Sequence, residues 1–276
     1  MSNEVNTIKE RKAVLPTWLD TLIFDNLSAK YCRQNKDMVV LEWNSDDIKK
    51  YLGTYFPRSY AESFCIFSNF FSKEKHTYEN CQELSIFDFG CGTGGELIGF
   101  IMAVTKQLPN IKKISIRALD GNSYALRFLE CILEKTSKIL CIDIENKVIP
   151  IVIDDFYDMD IVTNVMTQSY DFIISFIAIC EFVTMQQFEQ QNPYEHIINV
   201  FMPKLSSKGV ICLAYITSFN AVSQDWLPVM LDNASKACNV DILYRNSGFN
   251  EDFHITHTHQ RNDTSKIAWR IYKNKN

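Results

Sequence analysis

No apolar run in this chain approaches the roughly 20 residues that a helix needs to cross a bilayer, which excludes a membrane-spanning helix. Met1 to Lys12 is polar and charged and lacks the apolar stretch of a secretory signal, so a cytoplasmic location is expected. The nine cysteines form no C-x-x-C pair and no metal-ligand spacing. Most lie inside apolar runs, as buried reduced thiols do, and no metal is expected. Basic residues are not in excess either, the net charge being −5. A strong polyphosphate binder shows a basic face or arm, so a nucleic-acid partner gains no support from charge. The one basic bias (Arg261, Lys266, Arg270, Lys273 and Lys275 against Asp263) reads as a solvated edge. Internal repeats and low-complexity segments are absent. What remains is an ordinary globular composition, 46% hydrophobic and 22% charged over 276 residues. That is one α/β domain with an extension, or two small domains.

Glycine is scarce too, and its distribution is informative. Four of the nine glycines are Gly90, Gly92, Gly94 and Gly95. They follow an apolar run, Leu84 to Phe89, and precede an apolar-periodic segment, Leu97 to Leu108. A strand turning through glycines into a helix brings bare backbone against a ligand. Gly90, Gly92 and Gly95 fit the dinucleotide pattern G-x-G-x-x-G, which alone is a weak signal. Asp88 separates the options: a carboxylate two residues before the first glycine repels a pyrophosphate and suits a ligand carrying positive charge.

The order of elements agrees. Residues 1 to about 80 read as mostly helical, with aromatic-rich segments Thr17–Leu27 and Tyr51–Phe71 punctuated by Pro16 and Pro57. From Leu84 strands and helices alternate. Strand-like runs are Leu84–Phe89, Ile114–Leu119, Val148–Ile153, Phe172–Phe176 and Val210–Ile216. Helical segments between them are Gly95–Leu108, Tyr124–Lys138, part of Met185–Pro203, and Asp225–Asn239. Phe253–Thr258 and Ile267–Tyr272, separated by the polar stretch Gln260–Ser265, read as a hairpin. The fold class expected is therefore α/β, a doubly wound, seven-stranded, mostly parallel sheet with an antiparallel C-terminal hairpin and an N-terminal helical extension.

Asp88-Phe89-Gly90-Cys91-Gly92-Thr93-Gly94 resembles the first motif of the class I, Rossmann-like S-adenosylmethionine-dependent methyltransferases, acid-x-Gly-x-Gly-x-Gly. The resemblance covers residues 84–276 and implies direct methyl transfer from S-adenosylmethionine, with residues 1–83 as a cap that sets acceptor specificity. The radical alternative for that cofactor is removed by the missing C-x-x-x-C-x-x-C. In the family the loop Gly90–Gly94 underlies the methionine moiety, with Asp88 near its ammonium. Asp120, followed by Gly121 and Asn122 at the end of the second strand, resembles the acid that holds the ribose hydroxyls; a helix N-cap is compatible with that role. After the third strand, Asp154 and Asp155 with Phe156 suit an adenine pocket, Asp155 by register, the alternative being solvated loop acids. The fourth strand ends in Ser175 and Phe176, facing methyl and acceptor. Glu181 beyond it is placed to orient the acceptor or take its proton, or is a helix-start carboxylate. Cys180 lacks the Pro-Cys setting of cytosine-C5 enzymes and reads as core.

Upstream, Arg58 is a partner for the cofactor carboxylate, and Tyr55 and Tyr60 are pocket walls; core packing is the competing reading. Pro-Arg-Ser-Tyr-Ala-Glu, with Ile177–Phe182, also resembles ribosomal-small-subunit methyltransferase-like proteins, without their cysteine cluster. The acceptor stays open: the charge balance favours a small molecule slightly over RNA, with a protein side chain as a third class. An inactive cofactor-binding scaffold, such as an assembly factor, is the rival reading. His254, His257 and His259 read as a strand or edge cluster, since no acid or thiol completes a ligand set.

Overall fold

The computed structural model describes residues 5–32 and 43–275. In chain order the elements begin with β1 (Lys12–Val14), α1 (Thr17–Asp20), α2 (Ser45–Tyr78), β2 (Glu83–Phe89), α3 (Gly95–Gln107), β3 (Lys113–Asp120), α4 (Ser123–Leu140) and β4 (Asp143–Pro150). Then follow α5 (Asp160–Val165), β5 (Tyr170–Phe176), α6 (Ile179–Phe182), α7 (Met185–Gln190), α8 (Pro193–Phe201) and β6 (Leu205–Tyr215). The remainder is β7 (Phe219–Asn220), β8 (Asp225–Trp226), α9 (Leu227–Ala237), β9 (Val240–Arg245), β10 (Glu251–His257) and β11 (Gln260–Asn274). No described helix is long and apolar enough to cross a membrane.

The main sheet runs β1-β10-β11-β6-β5-β2-β3-β4, with β9 also on β11. Its central frame is β4-β3-β2-β5-β6-β11-β9. The pairs β3–β4, β2–β3, β2–β5 and β5–β6 are parallel, and β11 is antiparallel to both β6 and β9. From β2 the chain moves outward through β3 and β4, then returns to lay β5 on the other side of β2. That reversal opens a crevice at the carboxyl ends of β2 and β5, where ligands of open α/β sheets bind.

Helix α2 is held at its start by Asn44, whose side chain accepts from the Asp46 and Asp47 amides, with both acids in the first turn. It lies along α3 at very close range. A Cβ added at Gly95 or Gly99, one turn apart, would stand 2.5 Å from the Phe56 or the Tyr60 carbonyl oxygen. Only residues without a side chain allow that approach, so the Gly95-x-x-x-Gly99 spacing is the seat for α2. Phe67, Phe70 and Phe71 then close on Phe100 of α3 and Phe172 of β5, with ring centroids 4.8–6.1 Å apart. These rings are buried and belong to the core on this face of the sheet.

Several elements differ from expectation. The third strand is Asp143–Pro150, not Val148–Ile153, because it pairs residue for residue with Lys113–Asp120. As the sheet's edge it is polar and mostly exposed, so its first half carries no apolar signal. The expected loop Gln260–Ser265 is the first part of one long strand, β11, whose inward polar residues are paired with α2. Arg270, read as part of a solvated edge, is 2% exposed and bonds Asp232 at 2.7 Å. The N-terminal region, read as helical, also supplies β1, which lies parallel on β10.

Candidate functional site

The first turn after β2 is built on glycine dihedrals. Gly90, Gly92 and Gly94 take φ of 76°, 49° and 79°, a region other residues avoid. Gly90 and Cys91 donate their amides to the Leu119 carbonyl, and the Gly94 amide closes on the Cys91 carbonyl at 2.7 Å. A Cβ on Gly90 would fall 2.3 Å from that of Ala178, so the turn passes directly beneath the segment that follows β5. Cys91 is buried, and burial pushes its thiol up, which leaves it inert.

Asp120 braces this turn. One carboxylate oxygen accepts the Gly92 amide at 2.8 Å and the other the Asn122 amide at 2.8 Å. Asn122 in turn caps α4 through the Tyr124 and Ala125 amides and donates to the Trp43 carbonyl. The acid that ends β3 thus holds the glycine turn, and its neighbour holds both a helix and the start of the α2 region.

Asp88 points from β2 into the interior beneath the turn. It is fully buried, and neither carboxylate oxygen has a hydrogen-bond partner among the described residues. Burial, then the charge of Asp120, pushes its carboxyl well above the ordinary range. Glu96, in the first turn of α3, is raised in the same way by burial and by Asp88. Burial raises Asp120 too, against the backbone bonds that favour its charged form. Three acids crowded under one turn repel one another, and a cation bound above them relieves that repulsion. Glu96 was missed in the sequence because a first-turn glutamate is an ordinary helix start.

Above the turn lies a cavity of about 610 Å³. Its floor is Gly90, Gly92, Asp120 and Gly121; its walls come from the residues after β5 (Ile177, Ala178, Glu181, Phe182) and from the end of β6 onward (Tyr215 to Phe219). Trp43, Tyr51, Tyr55 and Ser59 close it from α2 and the residue before it. Tyr51, Tyr55 and Ser59 are spaced four apart and so share one helix face. Trp43 meets Tyr51 edge-on at 5.4 Å, and Tyr51 lies 5.0 Å from Tyr55. Burial, then the nearby Glu181, raises the Tyr51 hydroxyl well above its usual range. Ile177 sits in the left-handed region at φ 53°, where a β-branched side chain is strained. Such strain clusters at functional positions, and here it turns the chain from β5 into the wall of the cavity.

The remaining expected residues lie elsewhere. Arg58 is paired with Asp263 and lies over the Tyr55 ring, away from the cavity. Tyr60 is 1% exposed and stacks on Phe64 in the core, because it is one residue out of the Tyr51–Tyr55–Ser59 face. Ser175 is buried and donates to the Phe89 carbonyl, joining β5 to β2, and Phe176 is core. Asp154 and Asp155 are exposed; Asp155 accepts from the Tyr157 amide and from Gln187, and Phe156 is fully buried. None of Asp154, Asp155 and Phe156 lines the cavity. The chain leaves the sheet at Pro150, so Asp154 and Asp155, the latter expected by register, lie beyond the strand end in the exposed stretch that follows. The Cys180 side chain lies outside the described residues. His257 is buried against Phe24 with a ring nitrogen 3.9 Å from Asp263, while His254 is exposed.

No sequence-family model matches this chain, and no curated protein matches it by sequence. Solved structures resemble it in outline. Precorrin-6y C5,15-methyltransferase of Geobacter metallireducens is 15% identical, with 78% of this chain and 89% of that one covered and a TM-score of 0.44. A Pyrococcus horikoshii protein described as a candidate RNA methyltransferase is 10% identical, with 92% and 96% covered and a TM-score of 0.46. The trans-methyltransferase CalH, in complex with SAH, is 10% identical, with 85% and 62% covered and a TM-score of 0.47. The strand order of this chain, with antiparallel β11 set between β6 and β9, is a Rossmann-like, mostly parallel α/β arrangement closed by antiparallel strands.

Proposed function

We propose that this chain is an S-adenosylmethionine-dependent methyltransferase. The observation that carries the reading is Asp88. A buried carboxylate with no partner costs free energy unless something positive comes to it. It sits beneath a glycine turn, at the reversal of strand order, under a cavity with no basic lining residue among those described. That environment disfavours a pyrophosphate and suits a ligand bearing an ammonium and a sulfonium.

The residues present fit such a cofactor. The Gly90–Gly94 backbone and Asp88 would hold its methionine end, and Asp120 has lone pairs left over from its two backbone bonds for ribose hydroxyls. When bound, S-adenosylmethionine would supply an electrophilic methyl group for direct transfer to an acceptor lone pair. No protein nucleophile is required. The chain's own contribution is orientation in a water-poor pocket walled by Trp43, Tyr51 and Tyr55, with Glu181 at the acceptor end to orient the incoming group or receive its proton. All the described cysteines are free, which suits a reducing compartment.

Calorimetry tests the reading. S-adenosylmethionine and its demethylated product should bind saturably and NAD should not; saturable NAD binding with silence toward both others sinks it.

A further inference from the structure

Resting on that reading, we propose that Trp43 and Tyr51 form an aromatic corner that reads the charge on the cofactor's sulfur. The corner holds the sulfonium of S-adenosylmethionine and releases the neutral thioether of S-adenosylhomocysteine.

Three rings close the cavity over the glycine turn: Trp43, Tyr51 and Tyr55. Tyr51 stands directly against that turn. A Cβ added at Gly92 would lie 3.3 Å from the Tyr51 hydroxyl oxygen and 3.5 Å from a carbon of its ring. The ring is therefore over the backbone that would hold the methionine end. Trp43 meets Tyr51 with centroids 5.4 Å apart and planes at 64°, which makes a corner and not a stack. Tyr55 is the lesser member, because the Arg58 guanidinium already lies over its ring at 5.7 Å. Core packing does not account for the corner, since Trp43 and Tyr51 are only partly buried and both border the cavity.

An aromatic ring attracts a cation through its quadrupole, and more strongly where water is excluded. The two forms of the cofactor differ in one charge. Asp88, buried and without a hydrogen-bond partner, would serve the ammonium that both carry, so it does not tell them apart. The sulfur alone distinguishes them. Methyl transfer leaves it neutral, with its bonding pair regained, and the ring attraction goes with the charge. The corner thus grips the cofactor before the reaction and loosens afterwards. It serves loading and release, not the chemical step, because the positive charge is already fading in the transition state.

Calorimetry on the full chain with S-adenosylmethionine and S-adenosylhomocysteine tests this. The wild type should favour the sulfonium by at least about tenfold, the order that two partly desolvated rings supply. Trp43→Leu and Tyr51→Leu keep an apolar wall without a quadrupole, and each should bring the two affinities to within about threefold. Tyr51→Phe keeps the ring and should keep the wild-type ratio. A purely structural role would lower both affinities together and leave their ratio unmoved. S-adenosylhomocysteine binding as tightly as S-adenosylmethionine overturns the proposal. So does a wild-type ratio in either leucine variant, or its loss in Tyr51→Phe. If the wild type binds neither ligand, the methyltransferase reading itself falls and takes the corner with it; binding of both without discrimination defeats the corner alone.

Discussion

Arg58 and Asp263, 205 residues apart, meet in a two-pronged ion pair, Nε to Oδ2 at 3.0 Å and Nη2 to Oδ1 at 2.9 Å. The guanidinium sits on α2 and the carboxylate on β11, so the pair fastens the helix that walls the cavity to the strand that completes the sheet. Burial alone would raise the Asp263 carboxyl; contacts from His257 and Arg58 more than offset it and hold it below its ordinary value. Removing one partner of a buried pair strands the other. With side chains 20% and 5% exposed, the loss in Arg58→Ala should be about 2–4 kcal/mol, short of a fully buried pair. Denaturant melts measure this, and cofactor affinity should be unchanged because Arg58 lies outside the cavity. The carboxyl is depressed in the folded state, so the pair's contribution is whole above about pH 3.9 and drains as the pH falls through the folded value.

Glu62 behaves in the opposite sense. Burial pushes its carboxyl up to about 8, against a hydrogen bond from Ser265 and the charge of Arg58. The folded chain therefore holds a proton that the unfolded chain gives up near pH 4.3, roughly the free glutamate value. Stability associated with that proton is whole below about pH 4.3 and declines as the pH rises, levelling off above about 8. Glu62→Gln should flatten this alkaline limb. Melting temperatures at pH 5 and pH 9 report it, and equal slopes for the two proteins would count against the assignment.

Asp120→Ala removes the acceptor of the Gly92 and Asn122 amides together with the group offered to the ribose. A charge-assisted hydrogen bond contributes on the order of 1.5–3 kcal/mol, so affinity for S-adenosylmethionine should fall at least about tenfold. Wild-type affinity in the variant would remove Asp120 from the site.

Gly90→Ala and Gly248→Ala form a matched pair. Both glycines have positive φ, 76° and 68°, but a Cβ at Gly90 strikes Ala178 while one at Gly248 meets nothing within 4 Å. Gly248→Ala should cost about 1–2 kcal/mol, the left-handed penalty alone. Gly90→Ala should add about 1–3 kcal/mol of overpacking and abolish cofactor binding. Comparable melts for the two variants would contradict this.

How much was legible in the sequence follows burial. Strand β5, the Ile86–Phe89 end of β2 and Val210–Ala214 of β6 are mostly apolar and buried, and the glycine turn with Asp88 is a pattern of adjacent residues; both could be read directly. Edge strand β4 begins Asp143-Ile144-Glu145-Asn146-Lys147, and the first half of β11 is Gln260-Arg261-Asn262-Asp263-Thr264-Ser265, so neither announces a strand. What makes the latter a strand is distant: Asp263 and Ser265 are buried against Arg58 and Glu62, and no local pattern encodes a partner 200 residues away. Of the upstream residues, Tyr55 lines the cavity, while Arg58 and Tyr60 were grouped with it by proximity in sequence and do not. Helical spacing from Tyr55 would have chosen Tyr51 and Ser59.

One strand, β11, serves two neighbourhoods. Its first half pairs with β10 and receives Arg58 and Glu62 of α2; its second half lies between β6 and β9. The order of synthesis therefore matters. Helix α2 can dock on α3 as soon as Gly95 and Gly99 are made, since that contact is local. Its polar face must wait until residues 260–274 arrive, roughly 160 residues after Gly99, and so must the antiparallel closure of the sheet. The growing chain thus passes through a stage with the glycine turn assembled but Glu62 and Arg58 uncompensated, and contacts this far apart in sequence close slowly. Final locking of the cavity wall is a late event of folding, set by a strand that contributes no residue to the cavity itself.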